Sequence, residues 1–128
     1  MSSNVKFYIC ETCGNLIEVV HASGVPMVCC GKKMTEIVPG TVEASREKHI
    51  PEVKVEGNTV TVTVGSVAHP MAEEHSILWV YLETSHGGQR KSLEVGAAPV
   101  ARFSLAEGET PISAYAYCNL HGLWKADI

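Results

Sequence analysis

Four of the chain's five cysteines fall between residues 10 and 30, and that density fixes what the N-terminal stretch can become. Cys10-x-x-Cys13 is closed by Gly14, and the adjacent pair Cys29-Cys30 by Gly31. Two sulfurs in a C-x-x-C knuckle can converge on one tetrahedral ion, with glycine letting the backbone fold tightly around them. Neighbouring side chains diverge on an extended strand, so Cys29 and Cys30 share an ion only where the backbone bends sharply. Gly31 is placed to help that bend. Buried structural thiols and disulfides are the weaker readings, because so many cysteines in so short a span of a reduced chain usually mean metal. Four thiolates suit zinc or iron, and spacing does not separate the two. Residues 1–38 are too few to bury much core, so a bound metal contributes to their folding.

The remaining bulk properties narrow the function classes. Hydrophobic residues make up 45% and charged residues 19%, the balance of a globular chain rather than a disordered one. No apolar run is long enough to span a membrane, and Met1–Phe7 lacks the apolar core of a secretory leader, so a cytoplasmic protein is expected. A net charge of -4 argues against nucleic-acid binding, and an anionic substrate would need positive charge supplied locally.

Pro39-Gly40 breaks the chain and divides it into residues 1–38 and 39–128. In the first part, Val5–Ile9 and Asn15–Val20 read as strands. The second shows no amphipathic helix of useful length. Its strand-like runs are Glu52–Glu56, Thr59–Val64, Ser76–Thr84, Gln89–Val95, Pro99–Leu105, Ile112–Cys118 and Leu123–Asp127. Gly57-Asn58 and Gly87-Gly88 are the tight turns. Seven short strands separated by turn signals predict an all-β antiparallel sandwich. Trp79, Tyr81, Phe103, Tyr115 and Trp124 are assigned to its core or sheet faces.

The fifth cysteine, Cys118, has no cysteine neighbour, but His121 follows three residues later in an Asn/Gly-containing turn. A thiolate and an imidazole this close can bind one metal, and further ligands must come from elsewhere. His49 is held extended by Pro51, while His69 and His75 bracket one inter-strand loop. Each histidine alone reads as structural or exposed. Together, four histidines and a lone cysteine in the connections of one domain favour a cluster. His21 and His86 are expected to be solvated.

These motifs resemble the desulfoferrodoxins, two-iron superoxide reductases, over nearly the full length. The resemblance is carried by Tyr8-x-Cys10-x-x-Cys13-Gly14-Asn15, Val28-Cys29-Cys30-Gly31 and Glu47-Lys48-His49, then by Gly65-Ser66-Val67-Ala68-His69-Pro70-Met71 with Glu74-His75, and by Tyr117-Cys118-Asn119-Leu120-His121-Gly122. No ligand position departs from the pattern. The resemblance implies a small desulforedoxin-like module followed by an immunoglobulin-like sandwich. It implies a first iron on Cys10, Cys13, Cys29 and Cys30. A second iron would lie in a plane of His49, His69, His75 and His121, with Cys118 axial and a sixth position open. Glu47 would approach that position in the oxidised state, and Lys48 would lie near incoming superoxide. A homodimer and a rubredoxin-like electron donor are also implied. Two rival functions fit the same residues: a superoxide dismutase using the same site, and a non-enzymatic electron carrier or metal-binding protein.

Overall fold

The computed structural model describes residues 5–128, and the Met1–Asn4 stretch read above for a leader lies outside them. Two compact units divide between Val38 and Pro39.

The first unit contains β1 (Phe7–Ile9), β2 (Leu16–Glu18), β3 (Val28–Cys29), β4 (Lys32–Lys33) and β5 (Thr35–Ile37). β1 pairs antiparallel with both β2 and β5, and β3 pairs with β4. Only β1 and β2 match runs expected from sequence. The other strands hold two or three residues each, too few for alternation to show. Between β3 and β4 the chain turns left-handed at Cys30 (φ 54) as well as at Gly31 (φ 74). The sharp bend demanded by adjacent cysteines therefore falls partly on a cysteine itself.

The second unit begins with a single helical turn, α1 (Arg46–His49), so His49 is helical rather than extended as expected; the extended residue is Ile50, directly before Pro51. Seven strands follow: β6 (Pro51–Glu56), β7 (Thr59–Val64), β8 (Ile77–Thr84), β9 (Gly87–Ser92), β10 (Val100–Ser104), β11 (Pro111–Cys118) and β12 (Gly122–Asp127). They form two antiparallel sheets, ordered β10-β7-β6 and β12-β11-β8-β9. This is the expected immunoglobulin-like sandwich in an almost wholly β chain. The Thr/Val alternation of β7 sends Val60, Val62 and Val64 inward. They meet Ile77, Val80 and Leu82 of β8, Ala114 and Ala116 of β11, and Phe103 of β10. The five aromatics assigned to core or sheet faces are all buried. The β8–β9 turn is Ser85-His86 rather than Gly87-Gly88, because Gly87 already pairs with Thr84.

Two features of the sandwich position the site. β11 pairs Tyr117 with Trp79 and then Cys118 with Ile77, so β8 carries one extra residue there. This bulge lets Ile77 and Val80 share the inner face with Cys118, Ala116 and Ala114. Gly65, just after β7, has φ +89, and its backbone lies against the Glu47–Lys48 peptide. A Cβ there would come within 2.6 Å of the Lys48 Cα and carbonyl carbon, and closer still to the Glu47 carbonyl oxygen. Only glycine fits. Val67 N–H and the Ser66 hydroxyl donate to that same carbonyl, at 2.9 Å and 3.2 Å.

Candidate metal centres

In the first unit the sulfurs of Cys10, Cys13, Cys29 and Cys30 all lie within 4.8 Å of one another. The knuckle is closed by Gly14 N–H donating to Cys10 O and Cys10 N–H donating to Asn15 O, both at 2.8 Å. Cys13 N–H reaches Cys10 Sγ at 3.5 Å, and Asn15 Nδ2 reaches Cys29 Sγ at 3.6 Å. The Cys13 amide is the main cause holding the Cys10 thiol down to about 6. The sulfurs of Cys13, Cys10 and Cys29 push Cys30 up to about 12. Cys29 and Cys30 thus resist ionising beside their sulfur neighbours, and a cation among the four removes that resistance. Cys10 is buried while Cys13 and Cys30 are exposed.

In the second unit the four candidate imidazoles stand at the corners of a square. Ring centroids are 4.6 Å apart for His49 and His69, 4.7 Å for His69 and His75, 5.1 Å for His75 and His121, and 4.9 Å for His121 and His49. Neighbouring rings are nearly perpendicular, at 78° to 86°. His49 and His75, across the diagonal, are 6.3 Å apart.

Hydrogen bonding on the outside of the square decides which nitrogens face inward. His49 Nδ1 donates to Ser45 O at 2.6 Å, and His69 Nδ1 donates to Pro70 O at 2.7 Å. A carbonyl can only accept, so both rings carry their proton on Nδ1 and leave Nε2 bare. Those two bare nitrogens face each other at 3.2 Å. His121 Nδ1 lies 3.1 Å from His49 Nε2, and Cys118 Sγ is 3.9 Å from His121 Nδ1. His75 Nε2 is buried without a hydrogen-bond partner. The facing lone pairs of His49 and His69 repel, and a buried ring nitrogen left without a partner, as at His75, is costly. A cation resolves both, and a set of imidazoles with one thiolate suits iron.

Burial also keeps the His49 and His69 rings in their ligating form. His49 is held below the usual histidine range, first by burial and then by the nearby charges of His121, His75 and Lys48. His69 is lowered to about 4, again mainly by burial. Cys118 is fully buried among apolar side chains of the sandwich, whereas His75 and His121 are half-buried at the rim.

Of the other predicted residues, Lys48 is half-buried and Glu47 exposed on α1. Neither belongs to the cluster in which ligand atoms of His49, His75, Cys118 and His121 all lie within 4.8 Å of one another; His69 adjoins that cluster through its Nε2, 3.2 Å from His49 Nε2. His21 and His86 are exposed, as expected. Two residues at the site escaped the sequence reading. Trp124, assigned only to the core, packs its ring 5.0 Å from His49 and donates its indole N–H to His121 O at 3.0 Å. A tryptophan three residues beyond a candidate ligand was the available signal, since a buried indole N–H needs an acceptor. Asn119, read only as a turn residue, ties two ligand loops together through its amide.

Comparison with known proteins agrees with this arrangement. The family described as "Desulfoferrodoxin, N-terminal domain" matches residues 2–37, and the family described as "Desulfoferrodoxin" matches residues 41–127. A desulfoferrodoxin from Syntrophotalea carbinolica is 42% identical, with 99% of each chain covered. A desulfoferrodoxin homolog from Archaeoglobus fulgidus is 44% identical over 98% of this chain and 99% of its own. Among solved structures, the superoxide reductase from Treponema pallidum aligns with a TM-score of 0.82 at 40% identity, covering 98% of this chain and all of its own. The match runs in chain order through both units and both clusters, and the chain belongs to the desulfoferrodoxin family.

Proposed function

We propose that this chain is a superoxide reductase, taking superoxide to hydrogen peroxide with one electron and two protons. The observation that carries the reading is the inward convergence of bare imidazole nitrogens beside one core-buried thiol. Cys10, Cys13, Cys29 and Cys30 hold a first iron. His49, His69, His75, His121 and Cys118 hold the second, where superoxide reacts. Ferrous iron bound there supplies the electron and a cationic centre that attracts superoxide.

The chain's own residues do the rest. Neutral imidazoles add no anionic charge, so the centre keeps its attraction for an anion. Lys48 contributes the local positive charge that a chain of net charge -4 otherwise lacks. Glu47, exposed on the same helical turn, is assigned as the carboxylate that would approach the centre in its oxidised state. The Cys118 thiolate, shut in the apolar core, donates electron density and tunes the redox chemistry. Cys118→Ser should therefore abolish or strongly slow peroxide formation in single-turnover assays with superoxide. Wild-type turnover in that variant would overturn the thiolate's role.

The same reading extends to oxygen detoxification in the cytoplasm, a homodimer and a rubredoxin-like electron donor. The motif resemblance implies each of these. Five cysteines with none in a disulfide support the reducing compartment.

A further inference from the structure

Asn119 lies between the thiol Cys118 and the ligand His121, in a segment that reads from sequence as a turn. Asparagine often serves turns by adopting the left-handed conformation. That explanation fails here. Among the described residues Cys30 is the one non-glycine with positive φ, and the left-handed corner of this loop is Gly122 (φ 74). The side chain has other work. Asn119 Oδ1 accepts the Ser76 N–H at 3.0 Å, and Asn119 Nδ2 donates to Glu74 O at 3.0 Å. The Asn119 backbone N–H adds a third bond, to Ser76 O at 3.2 Å. One partner is a donor and the other an acceptor, so the amide has a single orientation that satisfies both.

Glu74 and Ser76 are the residues on either side of His75. His75 is also the ring whose inward nitrogen has no protein partner to steady it. The Asn119 amide thus grips both sides of a ligand that comes from a different loop and locks it to the loop of Cys118. Its Oδ1 additionally lies 4.0 Å from Cys118 Sγ.

We infer that Asn119 is a positioning residue of the histidine/cysteine site: it fixes His75 relative to Cys118 and sets the electrostatic surroundings of the sulfur. The inference rests on the iron reading of that site. Partners that orient metal ligands typically alter affinity by about tenfold or more when removed. Asn119→Ala deletes the grip. Asn119→Asp keeps an acceptor for Ser76 N–H but loses the donor to Glu74 O and brings negative charge toward the sulfur.

The experiment uses the full-length, iron-loaded chain. It follows release of iron from each site to a chelator, the absorption band from the Cys118 sulfur in the ferric state, and the reduction potential of that site. Asn119→Ala should release iron from the histidine/cysteine site about tenfold faster or more, with a displaced sulfur band. The four-cysteine site, in the other compact unit, should release at its wild-type rate, which confines the effect to the second unit. A cooperative denaturant unfolding transition of that second unit reports that the sandwich is folded. Asn119→Asp should lower the reduction potential, because added negative charge favours the ferric state. Wild-type release and an unshifted band in Asn119→Ala would overturn the inference. If Asn119→Ala does not fold, an unchanged potential in Asn119→Asp overturns it. A wild-type chain lacking the sulfur band altogether would instead sink the iron reading on which it stands.

Discussion

Lys48 stands one residue before the buried His49, and its charge is among those holding that ring neutral. The same ammonium is the positive charge nearest in sequence to the proposed catalytic centre. Lys48→Ile should lower the second-order rate with superoxide by about tenfold, the lower end of what charge steering achieves. The dependence of that rate on ionic strength should also flatten. Pulse radiolysis across a salt series measures both, and an unchanged rate and slope would make Lys48 a solvated residue only. At this scale the ligand types were legible, because cysteine and histidine declare their chemistry wherever they stand. Their orientation was not. The Ser45 and Pro70 carbonyls that choose the ring nitrogens, the Trp124 ring against His49 and the Asn119 amide all act across loops. A one-dimensional reading has no access to such contacts.

Among the elements, α1 and the turn after β7 form one unit through Gly65. That glycine is required twice over, by its φ of +89 and by the Glu47–Lys48 peptide packed where a side chain would begin. Gly65→Ala should destabilise the second unit by about 1–3 kcal/mol, the usual range for forced backbone strain. It should also slow the reaction with superoxide by moving Lys48. Denaturant unfolding paired with superoxide kinetics tests this, and wild-type values in both would show that the turn absorbs the methyl group without consequence. The seven strands of the sandwich were legible because each runs for five to eight residues between turn signals, some alternating as in β7 and β10 and some continuously apolar as in β8. Strands β3 to β5 and the four-residue α1 were not, since elements this short owe their existence to neighbours rather than to periodicity. The β8–β9 turn was misread for a related reason. Gly87-Gly88 carries the composition of a turn, yet the packing of Tyr81 over Gly88 uses that composition inside the strand.

For the whole molecule, two compact units divide between Val38 and Pro39. Each unit assembles one cluster of ligands, and each cluster brings together groups that repel until a cation joins them. The fold in this sense is built around two metals, one near the surface at Cys13 and Cys30 and one with its sulfur in the sandwich core. A reductase and a dismutase could both be built on the second of these. They differ in what becomes of the oxygen. The direct test is product stoichiometry when the iron-loaded chain meets superoxide under excess reductant with a competent donor. A reductase gives about one hydrogen peroxide per superoxide consumed and releases no dioxygen. About half a peroxide per superoxide, with a matching yield of dioxygen, would mean dismutation and would contradict the function proposed for this chain.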